Sequence, residues 1–419
     1  MDSIVVQGGE KLSGEVRISG AKNAALPIMA ATLLTPGTFV LSNVPRLRDV
    51  VTMEHVLRVL GAQVEHHDHS ITVDTTNCRY HEAPYELVKT MRASVCVLGP
   101  VLARQGKARV SLPGGCAWGP RPVDFHIKAM KDLGANIELE HGYIVAEARR
   151  LRGATIYFET SSVGATENAI MAATLAEGTT VIENAAREPE IGALAGFLRD
   201  MGANISGDGT GTITIEGVDE LHEADCHVVP DRIETGTFMV AGAITGGDIL
   251  IMGGELDHCT TVASKLAEAG TEIIAVEDGI RVRGPERIGS INVTTAPYPG
   301  FPTDMQAQVM ALMTIAQGSA VITDTIYTDR FSHVPELRRL GADITIDRNV
   351  AVVGGVDHLS GAKVMATDLR ASAALILAGL VAEGMTEVSR VYHIDRGYES
   401  IEKKLSGLGA KIWRESGNQ

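Results

Sequence analysis

The residues best suited to chemistry lie in a glycine-rich segment, 112–124. It contains three glycines and one cysteine, Cys116, and Arg121 follows the cysteine by five residues. Glycine has no side chain, so the backbone around Cys116 allows a ligand to come close. A nearby guanidinium stabilises a thiolate and lowers the pKa of a cysteine below its ordinary value of about 8.5. The segment therefore predicts an activated thiol, and a structural cysteine in a tight turn is the alternative.

An amphipathic helix is predicted directly after this segment. Apolar residues recur at helical spacing from Val123 to Leu133, and Pro122 suits the start of a helix. The unpaired amides at a helix start carry partial positive charge, which attracts anions. Arg121 and this helix start are therefore expected to face the thiol of Cys116 together.

Six copies of one unit make up the chain, 68 to 73 residues apart. Each copy contains an amphipathic helix that stops at a glycine suited to a left-handed helix C-cap, and in most copies a hairpin-like alternation follows. These glycines are Gly61, Gly134, Gly202, Gly270, Gly341 and Gly409. A second series of helices is apolar or small on all sides, which is typical of buried helices. Those helices stop at Gly37, Gly106, Gly178, Gly247, Gly318 and Gly384.

Each copy is predicted to run strand, buried helix, strand, amphipathic helix and hairpin. Six such copies divide naturally into two α/β domains of three copies each, with a boundary near Val229–Pro230. The pattern of residues 4–20 is similar to that of residues 352–361, so the N-terminus is assigned to the second domain. The predicted domains are 22–229, which contains Cys116, and 1–21 together with 230–419.

The composition excludes several classes of protein. The net charge of −15 argues against a general affinity for nucleic acid or an anionic membrane. The five cysteines are scattered without a C-x-x-C pair, which fits neither a disulfide framework nor a zinc site and indicates a reducing compartment. We recognise no signal peptide and no membrane-spanning stretch, so a cytoplasmic protein without membrane insertion is expected. No metal or organic cofactor is indicated.

Two further tracts are predicted to be hairpin turns. The glycines at 207, 209 and 211 lie between two strand-like runs, so a turn is favoured over a dinucleotide site. The tract 66–69 contains three histidines and an aspartate, and a solvated turn is favoured over a metal site. His126 is left open between lining a pocket and capping its helix.

Charged and polar residues gather at the predicted helix starts. Lysine and arginine are unfavourable beside the positive end of a helix unless an anion offsets them. Two three-fold domains whose helix starts face a shared cleft would attract a substrate with several phosphate or carboxylate groups. The residues at the starts of the buried helices are Lys22, Asn23, Arg92, Ser161, Ser162, Asp231, Arg232, Asp304, Asp368 and Arg370. Those at the starts of the amphipathic helices are Arg48, Arg121, Arg187, Arg330 and Arg396.

Several segments resemble those of the enolpyruvyl transferases over essentially the whole chain, and most closely the members that act on UDP-N-acetylglucosamine. The relative that acts on shikimate 3-phosphate lacks the cysteine segment, so Cys116 decides between the two. The resemblance implies two inside-out α/β barrel domains, each with three repeats of a βαβαββ-type unit. The segments that carry it are 20–26, 113–124, 188–191, 231–235, 298–306 and 395–399.

The resemblance also implies the reaction and the roles of individual residues. Phosphoenolpyruvate would transfer its enolpyruvyl group to the 3-hydroxyl of UDP-N-acetylglucosamine with loss of phosphate, the first committed step of peptidoglycan synthesis. Cys116 would donate a proton to C3 and form a covalent adduct, and Asp304 would act as base beside the hydroxyl. Lys22, Arg121 and Arg396 would neutralise the phosphate and carboxylate.

The remaining implied ligand contacts include one departure from the family. Thr160 stands where some members have a lysine, so a contact to the diphosphate is missing or replaced. Asn23 and Arg92 match neighbouring ligand-binding positions, and Asp368 matches a cleft position whose role stays open. The positions implied for the sugar nucleotide are Arg121, Pro122, Val123, Asp124, Phe125, Thr160, Ser161, Ser162, Val163, Asp304 and Ile326.

Two alternative functions remain at this stage. One is the same chemistry on another acceptor, such as shikimate 3-phosphate. The other is a catalytically silent protein that binds a UDP-sugar as a sensor. The family resemblance also implies that the two domains close over the sugar nucleotide, with the cysteine segment acting as a lid.

Overall fold

The computed structural model of the chain describes residues 2–89, 91–112 and 123–417, in which helices and strands alternate. The helices are α1 (Lys22–Ala31), α2 (Arg48–Val59), α3 (Tyr85–Val88), α4 (Leu98–Gln105), α5 (Asp124–Asp132), α6 (Val163–Ala173), α7 (Pro189–Asp200), α8 (Arg232–Ile244), α9 (Thr260–Glu268), α10 (Gln306–Met313), α11 (Val334–Arg339), α12 (Leu369–Val381) and α13 (Ile401–Gly407). The first twelve strands are β1 (Ser3–Gln7), β2 (Ser13–Arg17), β3 (Thr38–Ser42), β4 (Gln63–His67), β5 (Ser70–Asp74), β6 (Glu82–Ala83), β7 (Lys107–Ser111), β8 (Asn136–Glu140), β9 (Tyr143–Glu147), β10 (Thr155–Tyr157), β11 (Thr179–Glu183) and β12 (Asn204–Ser206). The others are β13 (Thr212–Glu216), β14 (Cys226–His227), β15 (Asp248–Met252), β16 (Glu272–Val276), β17 (Gly279–Arg283), β18 (Val293–Thr294), β19 (Ser319–Thr323), β20 (Asp343–Asp347), β21 (Val350–Gly354), β22 (Lys363–Met365), β23 (Met385–Ser389) and β24 (Lys411–Glu415).

Six four-stranded sheets share one plan across the described ranges. In the sheet ordered β10-β11-β13-β12, the first two strands are parallel and the others continue antiparallel. Ile182 of β11 lies opposite Ile156 on one side and Ile213 on the other. Parallel neighbours need a crossover connection, and here it is the buried helix α6. The predicted α/β class and its six repeats are confirmed.

Two strands are exchanged between repeats. β2 precedes α1 in sequence but pairs in parallel with β15, which follows α8. β14 precedes α8 but pairs in parallel with β3, which follows α1. The repeat pattern does not reveal this exchange, because a strand followed by a helix has the same pattern whichever sheet it joins.

Strand β1 completes the last sheet. It lies between β23 and β24, antiparallel to both, where the other sheets have the second strand of a hairpin. The N-terminal strand therefore belongs with the C-terminal half of the chain.

The chain divides into two compact units, and each has its own apolar core. One unit is Gly20–Val229, and the other combines Met1–Ser19 with Pro230–Gln419. Three of the four-stranded sheets lie in each unit.

Buried helices occupy the centre of each unit. In the second unit, α8, α10 and α12 pack against one another, and nearly all of their residues are buried. In Gly20–Val229, α4 packs against α6, and α1 packs against the 3₁₀ turn Arg92–Val97. The strands instead alternate buried and exposed residues. Helices inside and sheets outside are what the inside-out class predicts.

The glycines that stop the amphipathic helices have the predicted conformation. From Gly61 to Gly409, all six have φ between 91° and 103°. Side chains with a Cβ are strained in this region, so the glycines specify where each helix stops.

The two tracts interpreted as turns are hairpin connections. Residues 207–211 join β12 to β13, and His66–His69 contains the turn between β4 and β5. His66 Nδ1 lies 2.8 Å from Glu54 Oε1, and its Nε2 lies 2.9 Å from the carbonyl oxygen of Asp68. None of the helices within residues 2–89, 91–112 and 123–417 has the length and apolarity required to cross a membrane.

Candidate functional site

Several of the described polar residues lie at helix starts as predicted. The prediction is wrong for Arg330 and Arg396, which lie four residues before the start of α11 and five before the start of α13. Lys22 is the first residue of α1, and Arg48 is the first residue of α2. Ser162, Asp231 and Asp368 are the N-caps of α6, α8 and α12, and each side chain accepts a hydrogen bond from a backbone amide of its helix. These caps explain why the buried helices begin where they do.

Several predicted residues lie outside the part of the chain that the structure describes. They are Cys116, Arg121 and Pro122, together with the side chain of Arg92. Among the described cysteines, burial raises the pKa of Cys78 and Cys226 to about 11. At neutral pH those two side chains are thiols, which are poor nucleophiles.

In the unit Gly20–Val229, an acidic residue positions Lys22. Lys22 Nζ lies 3.3 Å from Asp49 Oδ2, and the side chains are 13% and 5% exposed. A mostly buried ammonium group such as that of Lys22 is stabilised by a nearby negative charge, which Asp49 in the first turn of α2 provides. Asn23 follows Lys22 in α1. Sequence reasoning missed Asp49, whose only signal is an acid at a helix start.

The starts of α5 and α6 lie beside each other. Val123 is the N-cap of α5, and Asp124 is its exposed first residue. Phe125 packs edge-on against Phe158, with ring centroids 5.8 Å apart. A Cβ on Gly164, in the first turn of α6, would lie 3.3 Å from His126 Cε1. The structure therefore brings together two groups of predicted sugar-nucleotide residues, 123–125 and 160–163.

Within the second group, the hydroxyl of Ser162 is engaged by its own helix. Ser162 Oγ accepts a hydrogen bond from the amide of Ala165 at 3.4 Å. Val163 begins α6, Ser161 is half-buried, and Thr160 is exposed in the bend before it. A lysine at position 160 would therefore reach solvent at this helix start.

Asn168 determines the protonation of buried His126. Asn168 Oδ1 accepts from the amide of Gly99 at 2.7 Å, so Nδ2 is the donor and bonds to the carbonyl of Val95 at 2.9 Å. The same Nδ2 lies 2.8 Å from His126 Nδ1. An amide NH₂ cannot accept, so Nδ1 accepts and the neutral ring holds its proton on Nε2. His126, left open by the sequence, is thus a buried ring of defined tautomer beside the start of α6.

In the second unit, Asp304 is held by two arginines. Arg330 Nη1 lies 2.8 Å from Asp304 Oδ1, and Arg370 Nη2 lies 2.9 Å from Oδ2. The two arginine side chains are buried, with 9% and 4% exposed. The sequence placed all three at helix starts but did not predict that they pair.

The arginines control the ionisation of Asp304. Burial alone would raise the pKa of its carboxyl, but the charges of Arg370 and Arg330 and their hydrogen bonds hold that pKa well below its usual range. Asp304 is therefore an ionised but weakly basic carboxylate in this arrangement.

Asp368 has a structural role that the sequence left open. Its Oδ1 accepts from the amide of Arg370 at 2.8 Å and from that of Ala371 at 3.2 Å. It thereby caps α12 and fixes the backbone of Arg370.

The guanidinium carbon of Arg370 lies 5.3 Å from the centre of the Tyr398 ring, within range of a cation–π contact.

Arg396 and Ile326 both lie in the unit that contains Asp304. Arg396 ends the 3₁₀ turn Val391–Arg396, which packs against α12. A Cβ on the next residue, Gly397, would lie 2.6 Å from the side chain of Leu369, so the backbone there approaches the start of α12 very closely. Ile326 is half-buried in the segment after β19.

The chain is similar to known proteins over almost its entire length. A model of the EPSP synthase (3-phosphoshikimate 1-carboxyvinyltransferase) family matches residues 6–405. A protein from Geobacter metallireducens named UDP-N-acetylglucosamine 1-carboxyvinyltransferase is 59% identical over 414 residues, covering 99% of each chain. One of the same name from Myxococcus xanthus is 57% identical over 418 residues, covering 99% of this chain and 100% of the relative.

Solved structures agree with these relatives. The enolpyruvyl transferase NikO from Streptomyces tendae superposes with a TM-score of 0.89 at 27% identity, covering 100% of this chain and 99% of NikO. An EPSP synthase from Acinetobacter baumannii shares the fold with a TM-score of 0.78 at 18% identity, covering 99% of this chain and 100% of that one. The chain therefore belongs to the EPSP synthase family of enolpyruvyl transferases.

Proposed function

We propose that this protein transfers the enolpyruvyl group of phosphoenolpyruvate to the 3-hydroxyl of UDP-N-acetylglucosamine and releases phosphate. The observation that carries this proposal is 56–59% identity, over nearly the full chain, to proteins named UDP-N-acetylglucosamine 1-carboxyvinyltransferase. In the pathway, this is the first committed step of peptidoglycan synthesis. Such substrates are intracellular metabolites, and we place the activity in the cytoplasm.

The reaction is an addition followed by an elimination. The hydroxyl oxygen forms a bond to C2 of phosphoenolpyruvate while C3 gains a proton, which produces a tetrahedral intermediate. Loss of phosphate from C2 and of a proton from C3 restores the double bond. Cys116 gives the proton to C3, and its sulfur can also bond to C2 to form a covalent adduct; an activated thiol, which the sequence predicts here, would suit both roles.

Asp304 takes the proton of the attacking hydroxyl. A carboxylate whose pKa is held low by Arg330 and Arg370 is too weak a base to ionise a sugar hydroxyl beforehand. The hydroxyl becomes strongly acidic only as its oxygen bonds to C2, and a weak base is sufficient at that moment. We therefore infer that Asp304 orients the hydroxyl first and accepts its proton during attack.

Three cations are proposed to balance the charge of the substrates. Lys22, Arg121 and Arg396 are assigned to the phosphate and carboxylate of phosphoenolpyruvate, with Asn23 and Arg92 beside them. Negative charge grows on the phosphate as it leaves, so preplaced cations stabilise that step most. Lys22 is the first residue of α1, and the start of a helix carries partial positive charge that favours an anion.

The sugar nucleotide is assigned to the adjacent starts of α5 and α6 and to Ile326. Residues 123–125 and 160–163 offer backbone amides, the hydroxyls of Thr160 and Ser161, and the apolar surface of Phe125. His126 in its Nε2–H form lies against Gly164 in the first turn of α6.

A phosphate-release assay tests the function. Purified protein is mixed with phosphoenolpyruvate and either UDP-N-acetylglucosamine or shikimate 3-phosphate. Release with the first acceptor alone is expected. The family model, described as an EPSP synthase, makes the second acceptor the specific alternative, and turnover with it alone would replace our proposal. Nucleotide binding without phosphate release from either mixture would instead indicate a sensor.

A further inference from the structure

Asp324 is a fully buried carboxylate just after β19, and it accepts four hydrogen bonds. Its Oδ2 accepts from Thr303 Oγ1 at 2.7 Å. Its Oδ1 accepts from Thr295 Oγ1 and from the amides of Ile326 and Tyr327, each at 2.9 Å. A buried carboxylate is tolerated when hydrogen-bond donors surround it. Loss of Asp324 would therefore leave these donors without their acceptor, and loss of the donors would leave the carboxylate unsatisfied.

One arm of this network ends at Asp304. The Thr303 hydroxyl donates to Asp324 and accepts from Arg330 Nη1 at 3.0 Å, which fixes the direction of its proton. The same Nη1 lies 2.8 Å from Asp304 Oδ1. Thr303 also directly precedes Asp304 in the chain. Asp324 thus orients both members of the Asp304–Arg330 pair through a single hydroxyl.

The other arm ends at Ile326. Besides the two amides bound by Oδ1, Thr295 Oγ1 accepts from the amide of Thr325 at 3.0 Å and donates to Asp324. Asn349 Nδ2 donates to the carbonyl of Asp324 at 3.1 Å, and the amide of Asp324 donates to the carbonyl of Asn349 at 2.9 Å. The backbone of residues 324–327 is therefore held on several sides.

We propose that Asp324 is a positioning residue for the transfer reaction, which keeps the Asp304–Arg330 pair and the Ile326 segment in a fixed relation. The inference rests on the proposed function, in which Asp304 acts on the hydroxyl and Ile326 contacts the sugar nucleotide. Asp324 touches neither substrate in this proposal and acts through Thr303 and the 324–327 backbone.

The two arms predict different kinetic signatures. Thr303→Val keeps the shape of the side chain but removes the hydroxyl between Asp324 and Arg330. Its kcat should fall about tenfold, the effect of one hydrogen bond to a charged group, while KM for UDP-N-acetylglucosamine stays within about twofold. Thr303→Ser retains the hydroxyl and should recover most of kcat.

The matched variant on the other arm is Thr295→Val. It removes a donor to Asp324 and the acceptor for Thr325, so KM for UDP-N-acetylglucosamine should rise about tenfold with a smaller change in kcat. Asp324→Asn should combine both effects if it folds. Thermal unfolding of every variant gives the stability loss with which the kinetic changes are compared.

The outcomes separate the two proposals. Wild-type protein that releases no phosphate refutes the proposed function. With an active wild type, the positioning role is overturned if Thr303→Val keeps its kcat, if valine and serine behave alike, or if Thr295→Val leaves KM unchanged or repeats the Thr303→Val signature. The positioning role is supported if Thr303→Val lowers mainly kcat, Thr295→Val raises mainly KM, and Thr303→Ser recovers most of kcat.

Discussion

Lys404 Nζ lies 2.7 Å from Glu234 Oε1, and the Glu234 side chain is 2% exposed. Glu234 also accepts a hydrogen bond from the amide of Ser19 at 2.7 Å. Ser19 is the last residue of this unit before the chain continues into the unit Gly20–Val229. The ion pair thus anchors the point where the chain leaves one unit. Burial raises the pKa of the Glu234 carboxyl although Lys404 opposes that shift.

Replacement of Lys404 should therefore leave a buried, uncompensated carboxylate. Lys404→Met is expected to cost about 3 kcal/mol at pH 7, measured by urea unfolding. A carboxyl whose folded pKa lies above its unfolded value loses stability as pH rises between the two, so the penalty should shrink towards pH 5. The control is Lys403→Met, because Lys403 is exposed. Equal effects of both variants, or a penalty independent of pH, would contradict this role.

Arg370→Met should weaken the hold on Asp304. Breaking this pair is expected to cost about 2 kcal/mol, somewhat less than a fully buried pair because the Asp304 side chain is 28% exposed. A carboxyl with a lowered folded pKa contributes stability above its unfolded pKa of about 3.9 and loses it as pH falls through the folded value.

The predicted pH dependence is tested by measuring the free energy of unfolding of wild type and of Arg370→Met at a series of pH values and taking the difference between the two proteins. The difference should be constant from about pH 5 to pH 8 and should narrow below about pH 4. A difference that widens as the solution is acidified would show that Asp304 is not the group responsible.

Cys116 stays a prediction, and its activation can be tested by selective alkylation. A small epoxide should add one adduct to the native protein at neutral pH, because the raised pKa of Cys78 and Cys226, about 11, keeps them mostly protonated, and Cys96 and Cys259 are buried. Cys116→Ser should lose the adduct and most activity but retain nucleotide binding. Cys116→Asp retains an acid and should keep some turnover without an adduct. Intact-protein mass spectrometry gives the count, and an adduct on Cys116→Ser would refute selectivity.

Asn168→Asp should move the ring proton of His126. A carboxylate oxygen in place of Nδ2 accepts, so it favours a proton on Nδ1 where the amide forbids one. The loss of the bond to Val95 should also cost about 1 to 3 kcal/mol. Nitrogen chemical shifts of the ring distinguish the two forms. The same tautomer in both proteins would exclude Asn168 as its determinant.

Thr160→Lys should strengthen binding of the sugar nucleotide. A lysine at this exposed position could form a charge-assisted hydrogen bond to a phosphate, and KM for UDP-N-acetylglucosamine should fall by about fivefold, less at high salt. Thr160→Gln supplies length without charge and should have little effect. Equal KM values for both variants would show that the lysine at position 160 does not interact with the diphosphate.

The sequence by itself determined the repeat, the class of fold and the places where several helices begin and stop. These features are local: Gly61 stops a helix through its own φ of 103°, and Asp368 caps α12 through amides two and three residues away. A pattern within a few residues is sufficient to predict them. The resemblance to a known family then named the expected site residues.

Only the tertiary structure decided which side chains meet. Asp304 and Arg370 are 66 residues apart in sequence, and Ser19 and Glu234 are 215 apart. The exchange of β2 and β14 also leaves no trace in the repeat pattern, because the partner of each strand lies far away in the sequence. Such contacts depend on how helices and sheets pack, and the resulting burial and charge make Asp304 a weak base and Asp324 a link between two parts of the candidate site.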